Sequence, residues 1–144
     1  MTIRNVNYDF SISDQPIPVD ELSARLSDAA AGALVTFEGR VRDNNLDRAV
    51  TRLEYEAAEE LAVNEFEKIA RENFEQFDII RVGCVHRIGG LAIGDIAVWA
   101  GVIAGHRGPA FEACRYVIDT LKDRLPIWKK EHYPEGDSGW INSA

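Results

Sequence analysis

A short polar segment between two apolar stretches has residue types that can bind an anion. His106 and Arg107 follow the almost wholly apolar residues 95–104 and directly precede a predicted helix that opens with Gly108 and Pro109. The first turn of a helix has free backbone N–H groups and the positive end of the helix dipole, which both favour phosphate. A histidine or arginine here can equally be a capping or surface residue. The segment alone therefore indicates phosphate binding only weakly.

Two lysines in the C-terminal third could supply an amine for catalysis. Lys122 borders the predicted buried stripe of the same helix, near Arg115, so partial burial and neighbouring cations would favour its neutral amine as a nucleophile or proton acceptor. Lys129 follows seven residues later, beyond the helix-ending Pro126 and beside Lys130. Each lysine could instead lay its stem on apolar surface and keep its ammonium in solvent. Burial distinguishes these two interpretations.

Two arginines end a predicted strand. Side chains alternate between the faces of a strand, so Arg40 and Arg42 share one face and Val41 lies on the other. Two guanidinium groups on one face can bind a carboxylate or phosphate together. Basic residues also protect sheet edges, which is the alternative interpretation of the two arginines.

His86 and His132 have no spaced acidic or cysteine partners, so no metal site is predicted.

Two-residue alternation predicts the strands that position these side chains. The alternating or continuously apolar stretches are residues 2–12, 33–42, 50–56, 79–86 and 95–104. The turn-forming residues between the second and third stretches predict a hairpin of those two strands. Gly39 is expected at a bulge. The last stretch is so apolar that neighbours are expected on both of its sides.

Helical spacing of apolar residues predicts three helices. The first follows Pro18 and ends at Gly32, the second spans about residues 58–74, and the third opens with Gly108 and Pro109 and ends before Pro126. No regular element is predicted after Pro126. The elements together predict a single mixed α+β domain over residues 1–144. The predicted buried stripe of the third helix consists of Phe111, Cys114, Val117, Ile118, Leu121 and Leu125.

The distribution of charge excludes some classes of partner. The net charge of −8 argues against nucleic-acid or membrane binding, which would need a basic surface. Residues 54–78 hold nine acidic and two basic residues, a balance of 2 − 9 = −7, whereas residues 98–144 hold six of each. A cationic pocket can therefore form in the C-terminal third.

Cys84 and Cys114 lie in apolar runs and are predicted core residues, and a cytoplasmic protein without a signal peptide is expected.

Several short motifs, taken together, resemble the large-subunit family of molybdopterin synthase over about residues 30–141. Each motif is weak alone, but their order and spacing along one chain are specific to that family. The motifs are Phe37-Glu38-Gly39-Arg40-Val41-Arg42, His86-Arg87-Ile88-Gly89, Leu91 with Gly94-Asp95, Gly105-His106-Arg107, Ala110-Phe111-Glu112-Ala113 and Pro126-Ile127-Trp128-Lys129-Lys130-Glu131.

The resemblance implies an α/β hammerhead-type fold with an additional small antiparallel sheet, in a homodimer that binds one small subunit at each end of a heterotetramer. That small subunit would be a ubiquitin-like sulfur carrier whose C-terminal Gly-Gly is a thiocarboxylate. The implied reaction passes sulfur to cyclic pyranopterin monophosphate, also called precursor Z, and forms the dithiolene of molybdopterin. No cofactor is implied.

The resemblance also implies roles for particular residues. Lys122 and Lys129 match the two essential lysines of the family, whose amines lie beside the carrier tail and the pterin. Some of the pocket residues are expected to serve the neighbouring subunit, because the family completes its pockets across the dimer. The residues that match the substrate pocket are Phe37, Arg40, Val41, Arg42, His106, Arg107, Lys130 and Glu131.

Two other functions use the same cationic residues. A non-enzymatic dimeric module could bind a phosphorylated metabolite through His106, Arg107 and Arg42, with the lysines only adding charge. An independent acyltransferase could use Lys122 as its nucleophile and would need no protein partner. The first alternative predicts binding without turnover, and the second predicts activity with a small acyl donor.

Overall fold

The computed structural model describes residues 1–143, which form two main sheets, a small hairpin and three helices. The helices are α1 (Val19–Arg25), α2 (Glu59–Gln76) and α3 (Arg107–Arg124). The strands are β1 (Thr2–Arg4), β2 (Tyr8–Ser13), β3 (Ala33–Arg40), β4 (Asn44–Asn45), β5 (Arg48–Ala49), β6 (Arg52–Ala57), β7 (Arg81–Arg87), β8 (Gly89–Ala92), β9 (Ile96–Ala104), β10 (Ile127–Tyr133), β11 (Gly136–Asp137) and β12 (Ile141–Asn142).

The first sheet has the strand order β1-β2-β7-β9-β3, in which only the β2–β7 pair is parallel. As predicted, the apolar strand β9 has neighbours on both sides. Helices α2 and α3 cover one face, where Phe10 of β2 stacks on Phe66 of α2 with ring centroids 4.3 Å apart. A smaller cluster around Trp99, with Leu26 beyond α1, covers the other face. The mixed α+β class is confirmed.

The second sheet has the order β11-β10-β6-β8, with β12 also paired to β10. The predicted hairpin of residues 33–42 with 50–56 is wrong, because β3 pairs with β9 and β6 pairs with β10 and β8. The prediction of no regular element after Pro126 is also wrong. Both errors arise because β10 finds its partner more than 70 residues earlier in the chain, a pairing that local periodicity does not reveal.

Three local predictions also need correction. Residues 2–12 form two strands, because Asn5 makes a turn in which its Oδ1 accepts the N–H groups of Asn7 and Tyr8. Helix α1 ends at Arg25 and not at Gly32. Phe111 is 60% exposed, and the buried face of α3 in this region is formed by the small residues Ala110 and Ala113.

The end of α3 is fixed to α2 by an ionic cluster. Arg124 donates to Glu65 at 2.8 Å and to Glu72 at 2.7 Å. Hydrogen bonds from Arg124 raise its own pKa and lower the pKa of Glu72. This contact positions the last turn of α3 above the second sheet. Within residues 1–143, no helix is both long and apolar enough to cross a membrane.

Candidate functional site

A cleft of about 160 Å³ opens where the end of β3, the last turn of α3 and the β6–β10 pair meet. Its walls contain four cationic side chains, Arg40, Arg42, Lys122 and Lys129, and one carboxylate, Glu131. The cleft is therefore electropositive, although the whole chain carries a net charge of −8. The other lining residues are Phe37, Gly39, Asn44, Asn45, Leu53, Tyr55, Ala97, Val98 and Ser143.

The two lysines reach this cleft from different elements. Lys122 belongs to the last turn of α3, whereas Lys129 lies on β10 directly opposite Tyr55 of β6. Opposite residues of an antiparallel pair share one face, so Lys129 and Tyr55 both point into the cleft. Lys129 is half-buried, but Lys122 is exposed and less covered than its position on the helix predicts. The structure thus brings together two lysines that the sequence separates.

The arginines reach the cleft through a bulge in β3. The register with β9 shifts between Gly39 and Arg40, as predicted for Gly39. Arg40 and Arg42 both line the cleft, and Arg40 also donates to Glu38 at 2.7 Å. Val41 between them is 3% exposed, so its side chain lies in the core and its role is to hold the two arginines on the other side.

Glu131 and Lys130, the two other predicted site residues on β10, lie on opposite faces of the sheet. Glu131 is 4% exposed in the wall of the cleft, where its Oε1 accepts a hydrogen bond of 2.9 Å from Asn45 Nδ2. This bond joins the β4–β5 hairpin to β10. Lys130 lies on the opposite face of the sheet, with its Nζ 4.6 Å from the centre of the Trp140 ring. Lys130 therefore points away from the cleft of its own chain.

His106 and Arg107 lie at the other end of α3 from the cleft. Lys122 follows Arg107 by 15 residues in the same helix, a separation of about 23 Å at 1.5 Å per residue. Both residues are exposed beside the start of β3, where Gly32 N–H donates to Ala104 O. One chain does not bring these two residues to its own cleft.

The structure adds polar groups that the residue patterns did not single out. Burial and, after it, the charge of Glu131 raise the pKa of Tyr55 to about 12. His86 is completely buried, and its ring stands edge-on to Tyr55 with centroids 5.0 Å apart. Burial lowers the pKa of His86 to about 4, and the Lys122 ammonium acts in the same direction. The only sequence signals were the alternation of Leu53 with Tyr55 and the motif that contains His86.

Comparisons with known proteins place the chain among sequence and structural relatives. The chain is 42% identical over 134 residues to "Molybdopterin synthase catalytic subunit" of Nostoc sp., covering 92% of this chain and 81% of that protein. The solved structure of molybdopterin synthase from Staphylococcus aureus is 36% identical, with a TM-score of 0.84 over 90% of this chain and 94% of that one. This likeness confirms the predicted fold.

A more distant structure and a family model complete the comparison. A complex of subunits 1 and 2 of molybdopterin-converting factor from Helicobacter pylori has a TM-score of 0.73 over 89% of this chain and 87% of that one. At 22% identity it shows the fold alone. The model described as "MoaE protein" matches residues 12–124, well over half of the sequence. The chain therefore belongs to the MoaE family.

Proposed function

We propose that this chain is the catalytic subunit of molybdopterin synthase, a sulfurtransferase of molybdenum cofactor biosynthesis. It would transfer sulfur from the thiocarboxylated C-terminus of a small ubiquitin-like subunit to cyclic pyranopterin monophosphate and form the dithiolene of molybdopterin. The observation that carries the proposal is the cleft in which Lys122 and Lys129 lie with Arg40 and Arg42. Relatives at about 40% identity bear the same enzyme name.

The chemistry requires an electropositive site. The thiocarboxylate sulfur first bonds to a carbon of the pterin side chain, while a carbon–oxygen bond at that carbon breaks and its electron pair leaves on oxygen. This gives a thioester between pterin and carrier. Water then adds to the acyl carbon, the carbon–sulfur bond to the carrier breaks, and its electron pair stays on sulfur as a pterin thiolate. The carrier leaves as a carboxylate, and the two protons of water pass to bases. Negative charge on oxygen and sulfur is stabilised by ammonium groups, and a neutral amine can take a proton.

The positions of the cationic side chains suit them to different parts of the substrates. Arg40 and Arg42 share one wall and suit the phosphate of the substrate, because guanidinium groups bind such oxygens with paired hydrogen bonds. Lys122 and Lys129, which reach the cleft from α3 and β10, act on the acyl group and sulfur. Glu131 faces the same space and, held by Asn45, balances part of the positive charge.

The tail of the small subunit would enter beside the β4–β5 hairpin. A groove of about 470 Å³ shares Asn45, Lys129, Glu131 and Ser143 with the cleft and continues past Leu46 to the surface. Leu46 is 92% exposed at the tip of the hairpin. A flexible Gly-Gly end, which has no side chains to accommodate, could lie in this groove with its last carbon near Lys129.

A second copy of the chain would supply His106 and Arg107. Helix α3 packs along β3, with His106 near the start of β3 and Lys122 near its end. Within residues 1–143, β3 pairs on one side only, with β9. A twofold axis beside the free edge of β3, level with the middle of the strand and perpendicular to the sheet, would pair two β3 edges antiparallel and bring the partner's helix start to this cleft. The homodimer would be the core of a heterotetramer with two small subunits.

Two broader assignments accompany this proposal. Residues 1–144 would form one domain, since Phe10, Leu53 and Leu121 from distant parts of the chain belong to one core, and Ala144 lies outside the described residues. The reaction would take place in the cytoplasm, because the buried Cys84 and Cys114 are free thiols, as is usual in reducing compartments.

The test is reconstitution from purified components. The chain is incubated with thiocarboxylated small subunit and cyclic pyranopterin monophosphate, and molybdopterin formation is followed. We expect product only when both are present. Precursor binding without product, from a folded preparation, would reject the proposal in favour of a binding module. Product formed with a small-molecule acyl donor and no carrier would favour an independent acyltransferase.

A further inference from the structure

Tyr55 occupies a central position in the cleft that the known site motifs do not include. It lies opposite Lys129 across the β6–β10 pair, and both residues line the cleft together with Lys122. Residues opposite each other in an antiparallel pair have Cβ atoms about 4.5–5.5 Å apart. The phenol is therefore a near neighbour of the amine that we assign to the acyl group.

The hydroxyl of Tyr55 is an available hydrogen-bond donor. The residue is 8% exposed and lines the cleft, and no side-chain hydrogen bond within residues 1–143 involves its hydroxyl. Its pKa is raised to about 12, first by burial and then by the charge of Glu131. The group consequently stays protonated at neutral pH and can donate without being used up as an acid.

The ring beneath Tyr55 holds it in a fixed orientation. His86 meets it edge-on, at an interplanar angle of 73°, and is itself completely buried. His86 Nδ1 lies 2.8 Å from the carbonyl oxygen of Arg87, which fixes the imidazole. A hydrogen-bond donor that is already oriented before the reaction stabilises developing charge without a further cost in free energy for reorienting the side chain.

We propose that Tyr55 is a further catalytic residue, whose hydroxyl donates a hydrogen bond to the acyl oxygen of the carrier tail as water attacks the thioester. This inference rests on the proposed function. As the water oxygen bonds to the acyl carbon, the carbonyl electron pair moves to oxygen, which the phenol stabilises. When the carbon–sulfur bond breaks, that pair returns and the electrons of the broken bond leave on sulfur. Tyr55 keeps its proton throughout.

The phenol can stabilise one particular oxygen atom, which the lysine ammonium groups do less selectively. An ammonium group attracts every anion in the cleft, including the substrate phosphate and the thiocarboxylate before reaction. The neutral O–H of Tyr55 on β6 stabilises negative charge on an oxygen only where that oxygen meets the hydrogen bond. It adds no net charge that would slow the release of the carboxylate product. Tyr55 should therefore affect the rate of the chemical step more than the binding of the carrier.

The experiment compares Tyr55→Phe with Tyr116→Phe in the full chain. Each change removes one phenolic oxygen and keeps the ring, but the Tyr116 hydroxyl donates to Glu72 at 2.8 Å, on the α2 side of α3. Single-turnover molybdopterin formation is started from preformed complexes with thiocarboxylated carrier, so that only folded protein is counted. Binding of the carboxylate-ended carrier is measured separately.

We expect Tyr55→Phe to slow the single turnover by about 10²-fold, the usual effect of removing one oxyanion donor, with carrier affinity within about twofold of the wild-type value. Tyr116→Phe should keep the wild-type rate. A Tyr55→Phe rate within about twofold of wild type, or a loss that appears only in carrier affinity, would overturn the inference and leave the sulfurtransferase proposal intact. A wild-type chain that forms no product would overturn both.

Discussion

Lys122 and Lys129 differ in how their surroundings restrain them. Lys129 is half-buried on a central strand with Tyr55 opposite, so its side chain has few conformations open to it. Lys122 is exposed on the last turn of α3, which the hydrogen bond of Arg124 to Glu72 joins to α2.

Replacing either lysine should abolish most of the activity without unfolding the protein. We expect Lys122→Ala and Lys129→Ala each to lower the turnover number by at least about 10²-fold, because charge stabilisation at the acyl group is lost. Lys68→Ala, which removes an exposed lysine of α2 paired with Glu65, is the matched control and should keep normal turnover. Near-normal rates in both cleft variants, measured by molybdopterin formation, would contradict the lysine mechanism.

His86 should make the stability of the fold depend on pH. Its pKa is lowered to about 4 in the folded protein, chiefly by burial, whereas an unfolded histidine titrates near 6.5. Between these values only the unfolded chain binds the proton, so stability rises with pH through this window and is lost as the pH falls. The loss should amount to up to about 3 kcal/mol between pH 6.5 and 4.

The measurement is urea unfolding at a series of pH values for the wild type and His86→Gln, which keeps a polar side chain but does not titrate. The difference in unfolding free energy between the two proteins isolates the contribution of His86 from that of every other group. Parallel pH profiles for the two proteins would show that this imidazole is not held neutral by the fold.

At the scale of elements, the close contact between the start of β3 and the turn after β9 determines where α3 begins. Gly32 N–H donates to Ala104 O, and the Cα of Gly32 faces the backbone of Gly105. A larger residue at position 32 would force the β9–α3 turn away from β3. The direction of α3, and with it the separation of His106 from Lys122, depends on this contact.

Gly32→Ala should destabilise the fold, since the added Cβ would overlap the carbonyl oxygen of Gly105. We expect a loss of about 1–3 kcal/mol in unfolding free energy, typical of overpacking against backbone. Gly108→Ala is the control, because no atom lies within 4 Å of its added Cβ and alanine in a helix is favourable by up to about 1 kcal/mol. Urea denaturation giving equal stabilities for the two variants would disprove the contact.

For the whole molecule, His106 and Lys122 lie at opposite ends of α3, so one chain could not supply both residues to the proposed site. Antiparallel pairing of two β3 edges would bring both residues together twice, because twofold symmetry exchanges the ends of the strand. Exposed apolar residues along this strand and helix, such as Leu34 and Phe111, would be covered by the same contact. Each site would then be complete only in the dimer.

This arrangement predicts complementation between two inactive variants. In a heterodimer of His106→Ala and Lys122→Ala, one cleft receives both substitutions and the other receives none. Random co-assembly should therefore restore about one quarter of wild-type molybdopterin formation, since half the dimers are mixed and each has one intact site. Mixed preparations no more active than either parent would contradict a site that is shared between the two chains.

The amino-acid sequence by itself predicted the family, most of the elements and several residues that line the cleft. Alternation placed Arg40 and Arg42 on one side of Val41, helical spacing and Pro126 predicted the extent and the end of α3, and the order of the motifs implied the family. These features depend on residues close together in the chain, for which backbone geometry alone sets the direction of each side chain.

Only the tertiary structure decided which residues share the cleft. Lys129 meets Tyr55 because β10 pairs with β6 across 74 residues, and local propensity does not encode that register, which the burial of Ile127 and Leu53 on one face selects. The predicted hairpin of residues 33–42 and 50–56 failed for the same reason. Burial also gave Tyr55 and His86 their shifted pKa values, because desolvation depends on the packing of elements from the whole chain.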